Sequence, residues 1–277
     1  MKMGHALQAM RAIVMRELFK FSRQTGRLVS ALVRPLLWLA VFAAGFRNVF
    51  GVSIVEPYDT YVPYDVYIAP GLVGMVLLFN GMQSSLAMVY DREMGLMRLL
   101  LTAPLPRWWI LFCKLTATAV LSLLQALAFV LVALALGTDL PVLGPHLPQL
   151  VLAAVCSALM LGALGLLLSV HIKQLENFAG TMNFVIFPMY FMSTALYPLW
   201  KLEEAGAGWV YQIARFNPFT HAVEWMRFAL YGKDAGWAPA VVLGTLALCF
   251  ALAAWGYDPQ RGFGALTKRG GPGGPGG

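Results

Sequence analysis

The sequence predicts an all-α, polytopic membrane protein with six transmembrane helices. Hydrophobic residues make up 59% of the 277 residues, against about 45–50% in a typical soluble domain. Charged residues contribute only 12%, where about 25% is usual, so they cannot cover the surface of a soluble fold of this size. Six stretches each supply the roughly 20 mostly apolar residues that a membrane-spanning helix needs.

The amino-terminal part, residues 1–28, is predicted to form an amphipathic helix at the cytoplasmic membrane surface. Apolar residues recur at helical spacing on one face, from Leu7 to Phe21. Basic residues follow the same rhythm on the opposite face: Arg16, Lys20, Arg23 and Arg27. Such a helix lies along the membrane, with its basic face towards water and anionic headgroups. The alternative is a helix packed on a soluble domain, and no segment of this chain resembles one.

Residues 29–258 are predicted to form the transmembrane domain. Segments rich in proline separate the spans, and aromatic residues collect at their borders, as in the aromatic belts of membrane proteins. The first span is expected to remain as an anchor, because the segment before it is too long for a signal peptide. The predicted spans are Val29–Phe46, Tyr67–Val89, Trp109–Leu136, Leu150–Val170, Phe178–Leu199 and Ala238–Tyr257.

The charge distribution predicts that both termini are cytoplasmic. Six spans place the termini on one side, together with the loops after spans two and four. That side carries 15 of the 20 Lys and Arg residues and 5 of the 13 Asp and Glu residues. This bias fits the positive-inside rule. The net charge of +7 therefore describes sidedness and gives no reason to expect a nucleic-acid partner. The Gly/Pro-rich tail at 259–277 is predicted to be disordered and cytoplasmic.

Two loops stand out as candidate functional segments. The loop after span two begins with the charged run Asp91–Glu93 and ends in a leucine-rich stretch before Pro104. Apolar residues rimmed by charge suggest a docking surface, although the same residues also suit a plain connector. The long loop between Trp200 and Trp237 contains a predicted short helix that either dips into the outer leaflet or lies on the bundle. Within that helix, Glu224 and Arg227 have the spacing of a local ion pair.

The predicted spans lack the residue types that several classes of membrane protein need, which reduces the number of possible functions. No Asp, Glu or His lies in the middle of a predicted span, whereas proton-coupled carriers use titratable groups at that depth. The four His and three Cys residues show no ligand or CxxC spacing, so neither a catalytic nor a metal site is predicted. There is no GxxxxGK[ST] phosphate loop. If the chain moves a solute uphill, the energy must come from a partner.

Five short motifs occur in order along the chain. They are Arg34-Pro35-Leu36-Leu37-Trp38, Ala69-Pro70-Gly71, Asp91-Arg92-Glu93-Met94-Gly95 with Leu99-Leu100, Phe187-Pro188 through Pro198, and Asn217-Pro218-Phe219-Thr220 with Glu224 and Arg227. In this order they resemble the integral membrane subunit of ATP-binding-cassette exporters of the type-2 permease family, which includes drug and polysaccharide export permeases. The resemblance covers nearly the whole chain. Thr194 and Leu202-Glu203 depart from the family pattern.

The resemblance implies a transporter subunit without enzymatic activity of its own. Two permease copies would form a substrate path in a bacterial inner membrane, and a separate ATPase would carry Mg-ATP, so no cofactor is expected in this chain. The implied ATPase-coupling residues are Asp91, Arg92, Glu93, Gly95, Leu99 and Leu100. The interfacial helix is also implied to meet the ATPase. The implied external re-entrant segment contains Asn217, Pro218, Glu224 and Arg227. A non-transport assembly or scaffold protein of the membrane is the alternative.

Overall fold

The computed structural model describes residues 3–23, 25–46, 51–52, 57–58, 62–94, 106–172, 174–204 and 206–257. Within these ranges the chain is mostly helical, and a two-residue antiparallel pair joins β1 (Gly51–Val52) to β2 (Val62–Pro63). The predicted tail and residues 95–105 of the loop after span two lie outside the described residues. The helices are α1 Met3–Ser22, α2 Thr25–Phe46, α3 Tyr64–Glu93, α4 Arg107–Ala135, α5 Leu147–His171, α6 Leu175–Phe191, α7 Leu199–Glu204, α8 Gly208–Phe216, α9 Pro218–Leu230 and α10 Ala238–Gly256.

Four helices of the described residues, α3, α4, α5 and α10, are long and apolar enough to cross a membrane. They coincide with predicted spans two, three, four and six. The first predicted span coincides with α2, in which Leu32–Val41 is the apolar stretch. The fifth coincides in part with α6, which has only 17 residues. The structure thus supports a multi-pass helical fold, and a total of six spans stays a prediction.

The first predicted helix is divided in two. We predicted continuous helix up to Arg27, but α1 ends at Ser22 and Arg27 belongs to α2. The Ser22 hydroxyl donates to the carbonyl of Phe19 at 3.0 Å, and a local bond of this kind competes with helix continuation. Gly26, next to the break, adds the backbone freedom that disfavours helix.

Helix α1 packs against the start of α4. The indole nitrogen of Trp109 donates to the carbonyl of Ala6 at 3.3 Å, and Phe21 is buried. Leu7 and Phe19 instead remain exposed. The helix therefore has one apolar side against the protein and another facing outwards, and its location at the membrane surface stays a prediction.

Helix α3 lies at the centre of the bundle and contacts α2, α4, α5, α6 and α9. Its side chains are buried on every side, including Ile68, Leu72, Leu77 and Met82, as expected for an apolar helix inside a larger core. Gly71 permits one close approach, because a Cβ atom there would lie 2.5 Å from the carbonyl oxygen of Ala195. This packing makes α3 the element that connects the two ends of the protein.

Helix α6 ends earlier than predicted. The fifth span was expected to run to Leu199, but helix stops at Phe191 and the chain then turns. Pro188 lies in the last turn of α6 and removes one helical hydrogen-bond donor. Beyond the break, the hydroxyls of Tyr64 and Tyr67 donate to the carbonyls of Leu196 and Thr194 at 2.6 and 3.2 Å. Side chains of α3 therefore satisfy backbone groups that a continuous helix would have paired internally.

Candidate coupling site

Asp91, in the last turn of α3, is 2% exposed and is surrounded by cations. The Nζ of Lys114 on α4 lies 3.3 Å from its Oδ2, and Nη2 of Arg16 on α1 lies at the same distance from that oxygen. The Nζ of Lys20, also on α1, lies 3.6 Å from Oδ1. These four residues, the Asp91 cluster, tie α1, α3 and α4 together at one point.

The pairs within the Asp91 cluster differ in strength because they differ in exposure. Lys114 is only 9% exposed, and removal of one partner of a buried pair leaves an uncompensated charge. The side chains of Arg16 and Lys20 are partly open to solvent, and ion pairs of that kind contribute little to stability. We conclude that Lys114 is the main stabilising partner of Asp91, and that Arg16 and Lys20 contribute less to stability while connecting α1 to the same carboxylate.

The next two residues of α3 reach two other helices. Nη2 of Arg92 donates to the carbonyl of Ser169 in the last turn of α5 at 2.8 Å, where a cation complements the helix dipole. Oε1 of Glu93 accepts from the backbone N–H of Leu175, the first residue of α6, at 2.9 Å. The carboxylate therefore caps an N–H group that α6 leaves unpaired. Asp91, Arg92 and Glu93 together connect the end of α3 to α1, α4, α5 and α6.

The sequence located this charged run but missed its partners. Arg16 and Lys20 were expected to face water and headgroups; their side chains are partly exposed, and they also contact Asp91. Arg23 is exposed in the turn after α1, and the side chain of Arg27 lies outside the described residues, as do Gly95, Leu99 and Leu100. Lys114 gave one usable signal: a lysine two turns inside an apolar helix needs a partner or a route to water.

The predicted external segment is built around Asn217. Its Oδ1 accepts from the backbone N–H of Phe219 at 3.0 Å and so caps the start of α9, with Pro218 at the first helical position. Its Nδ2 donates to the carbonyls of Met189 and Met192 at 2.7 and 2.8 Å. One amide therefore satisfies the end of α6 and the beginning of α9, which fixes the position of the external helix.

Arg227 of α9 is buried and faces the start of α3. Its Nη2 donates to the carbonyl of Thr194 at 2.8 Å, and its guanidinium lies 4.2 Å from the ring centroid of Tyr67. The spacing of Glu224 and Arg227 suits a local ion pair, but within the described residues no direct ion-pair contact joins them. The guanidinium shares the Thr194 carbonyl, beyond the end of α6, with the Tyr67 hydroxyl. Burial raises the pKa of the Glu224 carboxyl, and the charges of Arg227 and His221 oppose that shift.

The polar residues at both ends of α3 connect neighbouring helices through ion pairs and hydrogen bonds. Within the ranges that the structure describes, no three His, Cys, Asp or Glu residues lie close enough together to hold a metal ion. The buried charges lie near the two ends of α3.

Comparisons with known proteins give the family. The model of the ABC-2 type transporter family matches residues 8–231. A protein of Cyanophora paradoxa named "Putative transport permease ycf38" is 32% identical over 238 residues, which cover 83% of this chain and 76% of the relative. The proteins of the same name from Porphyra purpurea and Pyropia yezoensis are 29% and 28% identical, covering 85% and 81% of this chain and 78% and 75% of their own. These matches do not favour a scaffold protein outside transport. The chain belongs to the ABC-2 type transporter family.

Proposed function

We propose that this chain is the permease subunit of an ATP-driven exporter, coupled to a separate ATP-binding-cassette ATPase. Family membership supports a membrane transport subunit, and the sequence offers no phosphate loop of its own. Two copies of the chain form the substrate path, and two ATPase subunits carry Mg-ATP. The termini and the coupling segment face the cytoplasm of a bacterial cell in this proposal, and the bias of basic residues supports that orientation.

The network at the end of α3 is the observation that carries this proposal. Asp91, Arg92 and Glu93 immediately precede the predicted docking segment, and they contact four other helices. A displacement of the docking segment by the ATPase would therefore reach α1, α4, α5 and α6 together. Coupling of this kind needs a contiguous set of packed and hydrogen-bonded groups between the two sites.

The docking segment and the network have different roles in this proposal. Gly95, Leu99 and Leu100 provide an apolar surface for the ATPase, whereas the three charged residues transmit the movement. The basic side chains of α1 join the same point, so the amino-terminal helix moves with α3. Substitution of docking residues should weaken ATPase binding, and substitution of the partly exposed α1 partners Arg16 and Lys20 should leave binding intact while transmission fails.

Co-purification tests the docking role. A tagged permease carrying Leu99→Glu should insert normally and retain less than one tenth of the cognate ATPase that the unsubstituted chain retains, because a charge replaces an apolar contact. Leu143→Glu is the matched control, since Leu143 is highly exposed in the loop between α4 and α5 and is predicted to lie on the opposite side. Equal ATPase recovery with the two variants would contradict the proposed docking segment.

A further inference from the structure

A cavity of about 340 Å³ lies near the start of α3, between the turn after α6 and helices α7, α8 and α9. Tyr67 at this end of α3 and Asp91 at the other are 24 positions apart, or about 36 Å along a helix. The cavity, called here the Arg227 cavity, is therefore remote from the coupling site. Five of its eleven lining residues are aromatic, namely Tyr58, Tyr67, Trp200, Tyr211 and Phe228, and three are charged, namely Glu203, Glu224 and Arg227.

The floor of the Arg227 cavity presents donors that the protein does not fully use. Arg227 is 4% exposed, and its Nη2 binds the Thr194 carbonyl. Among the described residues, no acceptor reaches Nε of Arg227 or Nε1 of Trp200, although both atoms are buried. An unsatisfied buried donor costs about 1–3 kcal/mol. A ligand that supplies acceptor oxygens would remove that cost.

The wall of the same cavity has the opposite charge. Glu224 is half-buried one helical turn from Arg227, and Glu203 is exposed at the mouth. Neither carboxylate forms an ion pair with Arg227 within the described residues. The cavity thus keeps a guanidinium and a carboxylate apart from each other along one face of α9. Aromatic walls next to carboxylates are the usual surroundings of a bound ammonium group.

A ligand of a single charge sign fits these walls poorly. An anion on the floor would satisfy the free donors but would lie near two carboxylates. A cation at the wall would be repelled by Arg227 and would leave both donors unpaired. A molecule that carries both charges avoids each conflict, because its anionic oxygens accept from Arg227 and Trp200 while its ammonium faces Glu224.

We propose that the Arg227 cavity binds a zwitterionic group, made of a phosphate or carboxylate and an ammonium, at the external end of the subunit. Two sources supply this chemistry: the headgroup of an aminophospholipid in the surrounding leaflet, and a free small zwitterion. All of the residues that line the cavity belong to one subunit. It is a binding site beyond the export function.

Binding of soluble probes tests the chemical class. The purified full-length permease is placed in nanodiscs of phosphatidylglycerol, which has no ammonium, and titrated calorimetrically with phosphoethanolamine, inorganic phosphate and ethanolamine. We expect phosphoethanolamine to bind at least tenfold more tightly than either fragment. Equal binding of phosphate and phosphoethanolamine would make this an anion site, and no phosphoethanolamine binding would also overturn the proposal.

Variants connect the binding to the Arg227 cavity. Glu224→Gln should weaken phosphoethanolamine binding at least tenfold and leave inorganic phosphate within twofold, and Trp200→Phe, which keeps an aromatic ring, should weaken both. Glu204→Gln is the matched control, because Glu204 is exposed and does not line the cavity. If Glu224→Gln and Glu204→Gln behave alike, the ligand binds elsewhere and the proposal fails.

Repeating the titration in phosphatidylethanolamine nanodiscs distinguishes the two sources. If the lipid headgroup is the natural ligand, soluble phosphoethanolamine should no longer bind measurably, and native mass spectrometry should show phosphatidylethanolamine retained by the unsubstituted chain and lost in Glu224→Gln. If the ligand is a free zwitterion, phosphoethanolamine binding should persist unchanged in these discs. Each result supports a zwitterion site and assigns its source.

Discussion

At the residue scale, Asp91 and Asn217 each hold several helices with one side chain. Asp91 forms ion pairs with three cationic side chains at the predicted cytoplasmic end of the bundle. Asn217 donates to two carbonyls and accepts one N–H at the other end. In both cases a short polar side chain satisfies groups that helix ends and buried charges would otherwise leave unpaired.

The Asp91 cluster predicts a large loss of stability in Asp91→Asn. This change leaves Lys114 buried without its counter-charge, so the free energy of unfolding should fall by about 3–5 kcal/mol. Denaturant titration of the purified protein measures it. Glu176→Gln, an exposed carboxylate on α6, should stay within about 0.5 kcal/mol. The double variant Asp91→Asn/Lys114→Met should recover part of the loss, and no recovery would contradict the assignment of Lys114 as the main partner.

The double role of Asn217 predicts that Asp cannot replace it. Asn217→Ala removes the cap of α9 and leaves the α6 carbonyls unpaired, so the free energy of unfolding should fall by about 2 kcal/mol. Asn217→Asp keeps the capping oxygen but cannot donate to Met189 and Met192, and should destabilise at least as much. Asn177→Ala, at an exposed asparagine, is the control. Full stability of Asn217→Asp would refute the bridging role.

At the element scale, α3 and the broken end of α6 depend on each other. Tyr64, Tyr67 and Arg227 all donate to carbonyls of the turn after α6. Gly71 lets that turn lie directly on α3. The external helix α9 is fixed by the same turn, so the position of the external segment follows from where α6 stops.

The close approach at Gly71 predicts opposite signs for two Gly→Ala changes. Gly71→Ala places a Cβ atom against the backbone of Ala195, and overpacking of this kind costs about 1–3 kcal/mol. Gly180→Ala on α6 meets nothing within 4 Å and should stabilise the helix by up to about 1 kcal/mol. Thermal unfolding of the two variants, compared with the unsubstituted chain, measures both changes in stability. A stabilising Gly71→Ala would mean that α3 and the turn lie farther apart.

The sequence predicted those helices well whose bounds follow from the length of an apolar stretch. It located α3, α4, α5 and α10 to within a few residues of their ends. It did not predict the end of α6, because a proline such as Pro188 also occurs inside transmembrane helices. The carbonyls beyond the break accept hydrogen bonds from tyrosine hydroxyls of α3, and these contacts are visible only in the structure. The sequence failed at Ser22 for a similar reason, since a local side-chain bond ended the helix while the apolar spacing continued.

The sequence predicted where the candidate site lies along the chain, but it did not predict which residues contact one another there. The charged run Asp91–Glu93 stood out against an apolar chain, but its partners are 23 to 82 residues away in sequence. Spacing rules describe neighbours on one helix, so the local pair of Glu224 with Arg227 was expected. Tertiary packing instead brought Arg227 to Thr194, a contact that no local pattern indicates.

At the scale of the whole molecule, the two ends of α3 have different chemistry. The Asp91 end joins helices through ion pairs next to the predicted docking segment. The Arg227 end joins them through backbone carbonyls and aromatic rings around a cavity. Because α3 is buried along its length, we propose that it transmits movement between the two predicted sides of the membrane.

The orientation predicts which exposed positions an impermeant reagent can reach. In a chain whose native cysteines are replaced, Glu204→Cys should react with an impermeant maleimide in intact cells. Gly4→Cys, also exposed in the structure, should react only after the membrane is opened. Labelling of residue 4 in intact cells, without labelling of residue 204, would reverse the assigned sidedness.

The central claim is that the Asp91 cluster transmits ATP-driven movement through α1 and α3. The most direct measurement is ATP hydrolysis by the cognate ATPase reconstituted with the permease variant Arg16→Gln/Lys20→Gln. The control is Arg11→Gln/Arg23→Gln, which also removes two positive charges, from exposed positions on and next to α1. We expect both variants to bind the ATPase fully and only the first to lose the effect of the permease on the hydrolysis rate. Equal rates in the two variants would contradict the central claim.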